Sequence, residues 1–190
     1  MSARYRIIGY AIASADGMIA DAEGIMPDSL KIEADHNFLD RELDRVDGLV
    51  HGRRSHEGQS NSHRRRRLVL TRRVEATAPH PELKRCLLWN PEGASFDAAF
   101  GRMGVVAGTI AILGGTDVYD MFLGIGYDVF HLCRAGEARI PGGTPVFSQV
   151  RSGLSPEDIL SQAGLAPGPT QILDAANALS LVSWTRAPPR

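Results

Sequence analysis

Three short segments of this sequence combine glycine or arginine with hydroxyl residues: Gly52-Arg53-Arg54-Ser55, Thr71-Arg72-Arg73 and Gly114-Gly115-Thr116. Each combination suits an anion. Glycine removes the Cβ where backbone N–H groups must approach a ligand, and a helix that follows such a turn offers unpaired N–H groups and a partial positive charge. Hydroxyls add neutral donors, and a guanidinium gives a phosphate two parallel hydrogen bonds. Taken singly, each arginine reads equally well as solvated surface and Gly-Gly as a tight turn. What joins the three segments is the apolar run before each one: 48–51, 67–71 and 109–113. These runs have the length and composition of buried strands. All three segments therefore fall at carboxyl ends of strands, where open α/β sheets bind their ligands. A single polyanion is implied, and a dinucleotide with an extra phosphate, NADPH, fits best.

The elements that must position these segments follow from periodicity. Residues 5–13 are nearly continuously apolar, as a central strand is, and end at Ser14-Ala-Asp-Gly17. A loop over 20–28 carries Gly24 and Pro27, and Ser29 is the expected cap of a helix spanning 30–46, with Ile32, Phe38, Leu39, Leu43 and Val46 at helical spacing. A strand at 86–89, a helix over 95–103, a helix over 116–123 and a strand at 128–133 follow. The Gly- and Pro-rich stretch 135–178 reads as mostly loop, with a turn of helix after Ser155-Pro156, and 178–187 as a last antiparallel edge strand. Alternating strands and helices imply an α/β fold with a largely parallel sheet and right-handed crossovers.

Composition narrows the function classes. The chain has 190 residues, 43% of them hydrophobic, enough for one domain over 1–190 with a substantial core. Its formal net charge of -1 gives no global field toward nucleic acid. The basic run His63-Arg-Arg-Arg-Arg67 has no interleaved aromatic residues and offers at most non-specific attraction. The two cysteines, Cys86 and Cys133, lie in expected strands without Cys-x-x-Cys spacing, and the six histidines are scattered. No metal site is expected, and the thiols read as buried and free, in keeping with a reducing compartment. No stretch is long enough for a membrane span, so a soluble cytoplasmic protein is expected. A Gly-x-Ser-x-Gly elbow is absent, which excludes that route to serine hydrolysis.

The order Ala11, Asp16-Gly-Met-Ile-Ala20, Met26-Pro27, helix, Gly52-Arg-Arg-Ser55, Leu68-Val-Leu-Thr-Arg72 and Ile112-Leu-Gly-Gly-Thr-Asp-Val-Tyr-Asp-Met-Phe-Leu123 resembles the dihydrofolate reductase family. With Gly142-Gly-Thr-Pro-Val-Phe147, it looks equally like the reductase domain of the riboflavin-biosynthesis proteins, which share that fold. The resemblance implies a dihydrofolate reductase-like three-layer sandwich and hydride transfer from NADPH to a C=N bond of a pterin or of a ribose-derived Schiff base of an aminopyrimidine. It places Ala11 and Ile19 beside the nicotinamide, Gly52 to Ser55 and Gly114 to Thr116 at the pyrophosphate, Arg53, Thr71 and Arg72 at the 2′-phosphate, and Tyr119 beside the cofactor. Riboflavin-type members are commonly dimers, so a homodimer is the weaker expectation. A cofactor- or pterin-binding protein of the same fold, without turnover, is the alternative.

The proton donor departs from the family pattern. Counting from Met26-Pro27 without a gap puts Glu33 at the family's carboxylate; a one-residue shift that matches Phe38 puts Ala34 there, with Asp35 next. Glu33 is the first choice and Asp35 the second, and both also suit the ordinary first turn of a helix. Asp28 and His56 stand where the family has tryptophans, which implies a more polar pocket, and Arg65 matches the arginine that holds a folate's glutamate tail.

Overall fold

In a computed structural model, which describes residues 4–55 and 61–186, the chain runs β1 (Tyr5–Ser14), β2 (Met18–Ala20), α1 (Glu33–Leu43), β3 (Gly48–Gly52), β4 (Arg67–Leu70), β5 (Thr77–Pro79), β6 (Cys86–Trp89), α2 (Phe96–Gly101), β7 (Gly108–Ile112), α3 (Thr116–Ile125), β8 (Val129–Ala135), β9 (Thr144–Pro145), α4 (Pro156–Gln162), β10 (Leu165–Pro167), β11 (Gln171–Asp174) and β12 (Leu179–Arg186). Six strands, in the order β8-β1-β7-β3-β4-β6, pair in parallel. Antiparallel strands flank them, β5 on β6 and β12 on β8. β12 is antiparallel as the sequence predicts, and its outer side carries β10 and β11. The sequence predicts loop there because Pro167, Gly168 and Pro169 interrupt any strand pattern; pairing with β12 makes the strands, and proline is tolerated at such a margin.

The parallel strands are buried on both faces. Ile8, Tyr10 and Ile12 of β1 meet the α1 side with Leu43, Leu49 and Cys133, while Ile7 and Ala13 join Phe100, Val118 and Phe122 on the side of α2 and α3. Burying one such apolar side chain is worth about 1.5–3 kcal/mol, so this two-sided strand fixes the position of both helical layers. α1 begins later than the sequence suggests. Ser29 lies in a one-turn 3₁₀ segment, Asp28–Leu30, and the helix starts after Ile32 with no side-chain cap. Leu30 and Ile32 are 0% and 9% exposed; both must reach the core, and an extended step between them does this where a helix would turn one outward. Elsewhere the caps match the sequence: the Ser95 hydroxyl accepts from the Ala98 N–H at 3.2 Å, and Ser155 and Asp158 form a capping box on α4.

Candidate active site

β1 pairs with β7 only as far as Gly9↔Ile112, but with β8 as far as Ser14↔Ala135. The chain leaves β7 through Leu113 into Gly114 and Gly115, whose peptide bond is cis. The Gly114 carbonyl accepts from the Gly52 N–H at 2.6 Å, joining the ends of β7 and β3. Gly114 has φ +84, and a Cβ there would lie 2.6 Å from Tyr119 Cζ, so only glycine fits. A Cβ on Gly115 would meet Ser55 Oγ at 3.6 Å and Ile19 Cδ1 at 3.9 Å. Glycine at 115 thus leaves a space between the Gly52 turn, β2 and the start of α3. Gly115 is the N-cap of α3 and supplies no side-chain bond, so the first N–H groups of this ten-residue helix have no capping side chain.

A frame of backbone contacts surrounds the cradle. The Thr116 hydroxyl donates to the Pro145 carbonyl, β9 pairs with β2, and the Thr144 hydroxyl donates to the Asp21 carbonyl at 2.8 Å. Asp21 closes the 21–25 loop by accepting from the N–H groups of Glu23 and Ile25. Arg54 then reaches across to the Glu23 carbonyl at 3.3 Å. Arg54 and Thr116 therefore act on the frame, whereas Arg53 and Arg72 extend from the strand ends as exposed cations, Arg72 with Glu92 at 4.0 Å. Thr71 is buried, and its hydroxyl oxygen accepts from the Arg73 N–H at 3.1 Å.

Behind the cradle lies a carboxylate, and it is not Glu33. Glu33, the first residue of α1, is exposed, while Asp35 is 6% exposed. Residues 32 and 35 face inward because one helical turn separates them. The Cys133 thiol of β8 hydrogen-bonds Asp35, and Ile12, Ala34 and Phe38 form the apolar surroundings. Burial pushes the Asp35 carboxyl above the usual carboxylate range, against the opposing effect of that hydrogen bond. Burial, then the nearby Asp35 charge, raises the Cys133 thiol far above its ordinary value. Tyr119, on the first turns of α3, donates its hydroxyl to the Tyr10 carbonyl, and burial and Asp35 both push its ionisation up. Sequence reading sees in Cys133 only a buried thiol; the alternation that sets Ile12 and Cys133 on the α1 face was the signal available.

The residues expected to hold substrate sit differently. Asp28 is exposed and pairs with Lys31 at 2.8 Å. Arg65 is buried, with Nη2 at 2.9 Å from Asp40 and 2.6 Å from Asp44 of the α1 region. Its guanidinium is tied to two carboxylates of the fold. His56 lies outside the described residues. Both cysteines are buried and free, and among the described residues no helix is long and apolar enough to cross a membrane.

No known protein-family profile matches the chain, and no curated protein matches it. Solved structures do. A putative riboflavin biosynthesis protein from a Shewanella species is 22% identical with TM-score 0.66, over 96% of this chain and 99% of that one. Dihydrofolate reductase from Enterococcus faecalis, complexed with NADP(H) and RAB-propyl, is 16% identical with TM-score 0.60, over 96% and 97%. A Thermotoga maritima diaminohydroxyphosphoribosylaminopyrimidine deaminase/5-amino-6-(5-phosphoribosylamino)uracil reductase is 16% identical with TM-score 0.62, over 97% of this chain and 57% of that one. The chain therefore has the dihydrofolate reductase-like fold, a mostly parallel sheet with antiparallel strands at its margins.

Proposed function

We propose that this chain is a reductase that uses NADPH to reduce a C=N bond of a pterin or of a riboflavin-pathway aminopyrimidine. The observation that carries the reading is Asp35, a carboxylate buried beside the glycine cradle with Cys133 and Tyr119 as neighbours. A buried acid with its proton held more tightly than usual, next to a space walled by glycines and an uncapped helix start, is what a hydride acceptor that also needs a proton requires. The Enterococcus faecalis neighbour's complex with NADP(H) supports the choice of donor.

The residues present fit such a cofactor. Gly52, Ser55, Gly114, Gly115 and the first N–H groups of α3 would hold the pyrophosphate, for which the missing Cβ atoms leave room. Arg53, Arg72 and the Thr71 hydroxyl would meet the 2′-phosphate. Ala11, Ile19 and Tyr119 would line the nicotinamide end. When bound, NADPH supplies the hydride. The chain's own work is the rest: Arg54 and Thr116 hold the frame around the cradle, Ile12 and Phe38 keep water from the acid, and Asp35 holds the proton and grips the amidine of the heterocycle. Asp35, rather than Glu33, is the acid in this reading, because an exposed Glu33 carboxylate has water as its partner.

The test is an NADPH-oxidation screen across dihydrofolate, dihydrobiopterin-like pterins and the riboflavin-pathway aminopyrimidine. Turnover of one of them, lost in Asp35→Asn and kept in Glu33→Gln, supports the reading. Failure of the protein to shift NADPH fluorescence at all would overturn it.

A further inference from the structure

The basic run at 63–67 takes no part in this site. Its members turn alternately, Arg65 and Arg67 inward and Arg64 and Arg66 outward. Arg66 and a second basic segment, Lys84-Arg85, line a trough of about 530 Å³ at the amino-terminal ends of β4 and β6, and Arg102 at the end of α2 lines it too. The trough thus lies at the opposite ends of the strands from the Gly52 and Gly114 turns. Arg66, Lys84, Arg85 and Arg102 line it against one carboxylate, Glu82, in a chain whose formal net charge is -1. The positive field is therefore local, and an anion is what it attracts.

Two further features narrow the anion. Apolar groups form much of the wall, among them Pro79, Leu83, Leu87 and Met103, and Leu83 is 42% exposed. The volume falls in the range of small-molecule sites, about 300–1,000 Å³. Moreover, the rim is held in place. Arg85 donates from Nη1 to the Arg64 carbonyl at 3.0 Å, and Arg102 donates from Nη1 to the Thr77 hydroxyl at 2.5 Å. The N–H groups of Glu82 and Leu83 donate to His80 Nδ1, each at 3.2 Å. A guanidinium has five donors, so anchoring one nitrogen orients the others.

We propose that this trough is a second binding site, for a phosphorylated heterocycle of mononucleotide size, with the phosphate on the arginines and the ring against the apolar wall. The site is independent of the NADPH reading. Calorimetric titration of the full chain with AMP, adenosine and inorganic phosphate, each with and without saturating NADPH, tests it. AMP is expected to bind under both conditions, with adenosine and phosphate at least tenfold weaker. Arg85→Gly and Lys84→Ala should each weaken AMP at least tenfold while NADPH binding is unchanged and unfolding stays cooperative. Arg85 has φ +57, where glycine is at home, so that variant removes the guanidinium without straining the backbone. Displacement of AMP by NADPH, AMP affinity in either variant unchanged from that of the native chain, phosphate binding as tightly as AMP, or an RNA oligonucleotide binding where AMP does not, would each overturn the proposal.

Discussion

The ring of Tyr119 fills the space that a side chain at position 114 would need, and its hydroxyl is fixed on the Tyr10 carbonyl of the central strand. The glycine turn, α3 and β1 are locked together at one point, so the turn's shape depends on the helix it starts.

Substitutions at the two glycines should separate folding from binding. Gly114→Ala drives a methyl into the Tyr119 ring at φ +84; overpacking of this kind costs about 1–3 kcal/mol, and the backbone conformation adds to it. Gly115→Ala places its methyl 3.6 Å from Ser55 Oγ, an ordinary contact, at φ -75. Urea unfolding should detect the first, and NADPH titration the second, as a loss of at least tenfold with an unchanged unfolding midpoint.

Asp35→Asn should make the protein more stable at neutral pH while lowering turnover steeply. The Asp35 pKa is raised in the folded state by burial, so the fold binds this proton more tightly than the unfolded chain. This group's contribution to stability is then fully present at low pH and is lost as pH rises through the raised value. Removing the ionisable group removes that loss, and the variant's advantage in thermal midpoint should vanish in acid. A general acid contributes roughly 10²–10⁴-fold, and a fall of that order is expected in turnover; Glu33→Gln, at an exposed position, should change neither quantity.

Arg72→Ala and Arg53→Ala should weaken NADPH and leave NADH unaffected. One charge-assisted hydrogen bond is worth about 1.5–3 kcal/mol, or roughly ten- to a hundredfold in the NADPH dissociation constant. Equal losses for both cofactors would place these arginines away from the 2′-phosphate.

Arg65→Met should loosen the end of α1. The hydrogen bond from Arg65 to Asp44 holds that carboxyl below its usual value, so its contribution is present above the ordinary carboxylate pKa and is lost as pH falls through the lowered one. The gap in thermal midpoint between the native protein and the variant should be wide at pH 7 and close in acid. Catalysis on a substrate without a carboxylate tail should survive, since Asp40 and Asp44 already occupy this guanidinium.

The parallel strands and the Gly-Gly turn were legible because their signals are local: apolar runs, glycine pairs and arginines at run ends. Asp35 was harder. Glu33 and Asp35 are two residues apart, and which one turns inward depends on where α1 starts, which Leu30 and Ile32 decide by packing rather than Ser29 by capping. Arg65 was illegible for a related reason: in the extended segment that begins at Arg65 neighbouring arginines point opposite ways, and composition cannot tell Arg65 from Arg66. β10 and β11 carry no pattern of their own and exist through their hydrogen bonds to β12.

The pairing of β1 with β7 and β8 has a consequence for how the molecule is made. A strand at residues 5–14 must wait for partners at 108–112 and 129–135, and β8 in turn leans on β12 at 179–186. Contacts so distant along the chain slow folding. During synthesis the first strand emerges before its neighbours exist, so the glycine turn and Asp35 come together only after residues 108–135 have been made.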